Sequence, residues 1–83
     1  MQINALFAKN VKLYRSRLGY TQERLAEECS LIQEKDALVN RSFISDIETC
    51  RRNIALDKVG ILAKALRVEP YQLFLTKDIE EKI

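Results

Sequence analysis

Four polar side chains, Arg41, Ser42, Ser45 and Asp46, are spaced to share one side of a helix's first turns, with Ile44 and Ile47 at helical spacing behind them. The chemistry they offer is recognition, not bond making. A forked guanidinium reaches guanine O6 and N7, a hydroxyl pairs with several base edges, and a carboxylate accepts from cytosine N4. Arg51, Arg52 and Asn53 follow directly behind, where their donors suit backbone phosphate. At the other side, Gln22 opens a second helical segment and can present its amide to a phosphate. Taken singly, each of these is an ordinary solvated residue at a helix start. Together, at this spacing, they point to the major groove of duplex DNA.

Bond-making chemistry finds no comparable constellation. The chain has no histidine, so histidine-based acid–base and nucleophile mechanisms are unavailable. Cys29 and Cys50 are the only thiols and form no Cys-x-x-Cys pair, so neither a metal site nor a cofactor is expected, and the chain does not read as an enzyme. In a reducing cytoplasm two such cysteines read as small core or surface residues, with a redox-sensing thiol at Cys50 as the alternative.

Eighty-three residues suffice for one domain and one core. A composition of 47% hydrophobic and 31% charged residues belongs to folded, water-soluble chains. No apolar run approaches the ~20 residues needed to span a bilayer. The start, Met1-Gln2-Ile3-Asn4, lacks the basic-then-apolar pattern of a secretion signal, so a cytoplasmic protein is expected. Net charge is only +2, but it is unevenly spread. Residues 1–21 carry Lys9, Lys12, Arg15 and Arg17 and no acid, while residues 41–67 carry six basic residues against Asp46, Glu48 and Asp57. Two basic segments flanking a candidate groove helix imply a basic face.

The elements that must position these residues all read as helices. Phe7, Val11, Tyr14 and Leu18 recur at three- and four-residue steps and predict a first helix over about 4–18, closed by Gly19 as a left-handed cap. Thr21 caps a second helix, with Leu25, Ala26 and Cys29 inward. A third runs from an Asn40 cap to about Thr49, with Ile44 and Ile47 in the core and Phe43 at its edge. A fourth spans about 56–66, with Leu56, Val59, Leu62, Ala63 and Leu66 inward. Glu69-Pro70 opens a fifth, anchored by Tyr71, Leu73 and Phe74. Residues 76–83 form a charged tail.

In order along the chain, Thr21-Gln22-x-x-Leu25-Ala26, Arg41-Ser42-Phe43-Ile44-Ser45-x-Ile47-Glu48, Arg51-Arg52-Asn53, Leu62-Ala63-Lys64-Ala65-Leu66 and Pro70-Tyr71-x-Leu73-Phe74 resemble the helix-turn-helix family of phage Cro and repressor proteins. That family includes restriction–modification controller proteins and many small bacterial regulators. The resemblance covers about residues 7–75 of a single domain spanning 1–83. It implies an all-α, compact five-helix, lambda-repressor-like DNA-binding domain whose third helix, about 40–49, is the recognition helix. By that resemblance Arg41, Ser42 and Asp46 fall on base-reading positions, and Gln22 and the Arg51/Arg52 loop on phosphate-contact positions.

Three departures stand out. The turn between helices two and three is lengthened by roughly eight residues, about Ile32–Val39, and lacks the family's glycine. Cys50 stands where glycine follows helix three, so a left-handed residue there carries mild strain. Ala55 stands where a Ser or Thr would cap helix four, at a cost of about 1 kcal/mol.

One such domain touches few bases, and ~1–3 kcal/mol per good contact is too little to single out one site in a genome. A homodimer on an inverted-repeat operator is therefore expected, with Val68, Tyr71, Leu75 and Ile79 as the candidate interface away from helix three. The leading function is a sequence-specific transcriptional regulator of double-stranded DNA. The competing function is an antitoxin that also represses its own operon; no membrane or small-molecule partner is evident.

Overall fold

The computed structural model describes residues 3–32 and 39–76. Four α-helices follow in order: α1 (Ile3–Arg17), α2 (Gln22–Ile32), α3 (Arg41–Glu48) and α4 (Leu56–Ala65). Among the described residues there is no strand, and no helix is long and apolar enough to cross a membrane. In place of the expected fifth α-helix, Pro70–Phe74 forms a short 3₁₀ helix. Five residues opening on a proline are too few for an α-helical ladder, and the tighter repeat suffices for one turn. The Glu69 N–H at its start is satisfied by Gln72 Oε1 at 2.8 Å.

Helix boundaries follow from local capping. The Arg24 N–H donates to Thr21 Oγ1 at 3.0 Å, and the Phe43 N–H donates to Asn40 Oδ1 at 2.8 Å, as the two cap residues require. Ala55 precedes α4 with no side-chain cap bond. At the other ends, α1, α3 and α4 each close with the same pair of backbone bonds around a residue at positive φ: Gly19 (φ 73), Cys50 (φ 60) and Arg67 (φ 62). Only the first of these is a glycine.

The core forms where the helices' apolar stripes meet. Phe7, Val11 and Tyr14 of α1, Leu25, Ala26 and Cys29 of α2, Phe43, Ile44 and Ile47 of α3, and Val59, Leu62 and Ala63 of α4 are buried together with Val39, Leu66 and Leu73. Leu18, Ile32 and Phe74 pack half-buried against them, the Phe74 ring 5.2 Å from that of Phe7. Buried Asn10 stitches α1 to the 3₁₀ segment, its Nδ2 donating to the carbonyls of Leu73 and Leu75, both at 2.9 Å. Two expected inward residues face out: Leu56 is 88% exposed and Tyr71 62% exposed. Both lie in the first turn of their element. Phe43, expected at the edge, is buried. Residues 33–38 of the expected lengthened turn, and 77–83 of the tail, lie outside the described residues.

Candidate nucleic-acid interface

Helix α3 is amphipathic over only eight residues. Phe43, Ile44 and Ile47 seat it on the core, so its register is fixed by apolar burial. That seating leaves Arg41 and Ser42 exposed and Ser45 and Asp46 half-exposed on the outer side. These four side chains, together with Arg51, line one open depression of about 230 Å³. Arg51 reaches it because the chain reverses tightly after α3: Cys50 takes the left-handed conformation and the Arg51 N–H donates to the Asp46 carbonyl at 2.8 Å.

Arg52, expected beside Arg51 on phosphate, has a different setting. Its guanidinium carbon stands 4.8 Å from the centre of the Phe43 ring, and its Nη2 lies 3.6 Å from Asp46 Oδ2. Asn53 is turned toward α1, where its Oδ1 accepts from Asn4 Nδ2 at 2.6 Å. Gln22 begins α2 as expected, and its Nε2 donates to Glu48 Oε1 at 3.2 Å.

Glu48 is the centre of an arrangement that sequence reasoning misses. Its side chain is 4% exposed and takes two bonds from Arg15: Nε to Oε2 at 2.6 Å and Nη2 to Oε1 at 2.9 Å. Arg15 also donates from Nη1 to the Tyr20 carbonyl at 2.8 Å. One buried carboxylate thus ties the end of α1 and the start of α2 to the end of α3. The sequence signal is faint: an acid and a base on otherwise inward-turning faces, far apart in the chain. Of the candidate dimer residues, Tyr71 is exposed, Val68 and Leu75 are half-buried, and Ile79 lies outside the described residues.

Of the two thiols, Cys50 is exposed, with its Sγ 3.9 Å from the Asn4 carbonyl oxygen. Cys29 is buried, and removal from water, followed by the nearby Glu28 carboxylate, pushes its thiol up to about 11.

Comparison with known proteins bears on this geometry. The chain matches the helix-turn-helix family over residues 11–73. It is 38% identical over 73 residues to a hypothetical transcription factor of Neisseria meningitidis serogroup B, covering 88% of this chain and 61% of that protein. It therefore spans about three fifths of that relative's length. It is 40% identical over 72 residues to control protein C.BamHI of Bacillus amyloliquefaciens, covering 86% of this chain and 79% of that one. Control protein C.SmaI of Serratia marcescens is 32% identical over 82 residues, with coverage of 99% and 88%. The crystal structure of a hypothetical Neisseria transcription factor superposes with a TM-score of 0.84 at 34% identity, over 98% of this chain and 84% of that one. With the family matched over most of its length and the same helical arrangement in a solved relative, the chain belongs to the Cro/repressor-type helix-turn-helix family of DNA-binding transcription regulators.

Proposed function

We propose that this chain is a sequence-specific regulator that binds an inverted-repeat operator as a homodimer, with α3 in the major groove. Arg41, Ser42, Ser45 and Asp46 meet base edges, while Gln22 and Arg51 face the phosphate backbone. The single observation that carries this reading is the depression on α3: base-reading side-chain types and Arg51 converge on one open surface of a helix whose Phe43, Ile44 and Ile47 are buried in the core. A helix seated on the core matters because base discrimination requires side chains held within a fraction of an ångström. The regulator reading is favoured over the antitoxin by its relatives, which are a transcription factor and control proteins. The site of action would be the cytoplasm, with the DNA.

Two copies are required on energetic grounds. One half-site offers a handful of contacts at ~1–3 kcal/mol each, whereas a second linked half-site makes its binding effectively intramolecular. Exposed Tyr71, flanked by half-buried Val68 and Leu75, supplies an apolar surface on a different element from α3. The test is selection of duplexes from a random pool by the purified protein. Enrichment of a two-fold symmetric motif with half-sites about one helical turn apart is the expected result. Enrichment of no sequence at all would end this reading.

A further inference from the structure

Asp46 is the one acid among the five residues lining the α3 depression, and Arg52 stands outside that lining. The two nevertheless form a unit. Arg52 is held at two points, its guanidinium over the Phe43 ring at 4.8 Å and its Nη2 3.6 Å from Asp46 Oδ2. Phe43 is itself buried, so the ring is a fixed shelf that α3 cannot move without opening the core. Asp46 is fixed from the backbone side as well, because its carbonyl receives the Arg51 N–H. A carboxylate alone in this position would repel the phosphate ridges on either side of a groove. Beside Arg52 it keeps its acceptor oxygens while that repulsion is reduced. A guanidinium stacked and ion-paired in this way is also not the freely reaching side chain that grips phosphate.

We propose that Arg52 is a positioning residue for base readout: from the Phe43 shelf it holds the Asp46 carboxylate toward the exocyclic amine of a cytosine, and it does not itself clamp the DNA backbone. This rests on the reading of α3 as the groove helix and deepens it, because it assigns one base preference per half-site to the Asp46–Arg52 pair.

The test is a double-mutant cycle on the duplex that the wild-type protein selects from a random pool, together with its derivatives carrying each other base pair at each position. R52A should reduce the preference for C·G at one position per half-site by about tenfold, and R52K, which keeps the charge, should restore most of it. In a D46N background, R52A should change neither base preference nor salt dependence. If circular dichroism shows R52A unfolded, R52Q keeps a long side chain over Phe43 and removes only the charge. The proposal is overturned if R52A in the D46N background lowers the log–log salt slope by about 0.9, the mark of a lost phosphate contact. It is equally overturned if R52A leaves the base preference of the wild type intact. A wild-type protein that enriches no sequence would instead remove the underlying DNA-reading proposal, which separates the two failures.

Discussion

Arg15 and Glu48 stand 33 positions apart in the chain and meet in a two-pronged ion pair, at 2.6 and 2.9 Å, from which water is almost entirely excluded. The pair ties the end of α1 to the carboxyl end of α3, and so fixes how the outer side of α3 sits on the rest of the fold. Removing one partner strands the other in a medium that cannot solvate it. Glu48→Ala should therefore cost about 3–5 kcal/mol, lowering the thermal midpoint by more than about 10 °C for a chain of this size. Arg24→Ala, which breaks the exposed Arg24–Glu28 pair at 3.3 Å, should cost under about 1 kcal/mol. Denaturant titration of both variants measures the contrast.

Arg41 and Arg51 border the same depression but are proposed to do different work. Arg41→Ala should weaken operator binding by ~1–3 kcal/mol and relax preference at one position per half-site. Arg51→Ala should weaken binding evenly across sequences and reduce the salt slope by about 0.9. Titrations at several salt concentrations on matched and mismatched duplexes distinguish them; equal losses on all DNA for Arg41→Ala would refute its base-reading role.

Tyr71 is 62% exposed, so a charge there need not disturb the core. Tyr71→Glu should leave the circular-dichroism spectrum unchanged while sedimentation shifts toward monomer and operator affinity falls by at least about tenfold. A sedimentation profile identical to that of the wild type would move the interface elsewhere.

The two glycines should respond to alanine in opposite directions. Gly60 lies inside α4 with open space where a methyl group would stand, so Gly60→Ala should stabilise by about 0.5–1 kcal/mol. Gly19 is at φ +73, where a side chain is strained, so Gly19→Ala should destabilise by about 1 kcal/mol. Cys50→Gly, at φ 60, should relieve the same strain and gain up to about 1 kcal/mol, net of the greater freedom of an unfolded glycine. Urea midpoints of the three variants provide the comparison.

The raised Cys29 thiol links stability to alkaline pH. Its folded form holds the proton to about 11 against an ordinary value of 9.0, so between those values the folded state binds more protons than the unfolded. The contribution is fully present below about pH 9 and is lost as pH rises toward 11. Cys29→Ala should flatten the fall in stability over that window, as read by denaturation at about pH 8, 9.5 and 10.5. In native protein a thiol-alkylating reagent should label Cys50 within minutes and Cys29 only on unfolding, as mass spectrometry would register.

What was legible in the sequence was local. Thr21 and Asn40 announce their caps because a capping bond spans three residues, and both form. The Phe7–Val11–Tyr14 stripe and the Ile44–Ile47 pair announce burial because a helix repeats every 3.6 residues. Gly19 and Cys50 take the left-handed conformation expected of the residue that closes such a helix. Arg67 does so too, but nothing in its side chain signals it; the tight closure of α4 imposes the conformation. Periodicity failed at Leu56 and Tyr71 for a related reason, since a repeat gives a face's direction without saying whether a neighbour covers it.

The sequence by itself therefore determined the four α-helices, most of their ends, most of the core residues and the polar surface of α3, all governed by interactions within about four residues. Only the tertiary structure decided which charges met. It closed Arg15 onto Glu48, turned Asn53 toward Asn4, and laid Arg52 over Phe43 beside Asp46. Long side chains of opposite charge have many potential partners in an unfolded chain. Which partner each one takes depends on the distances and burial that appear only once the helices have packed.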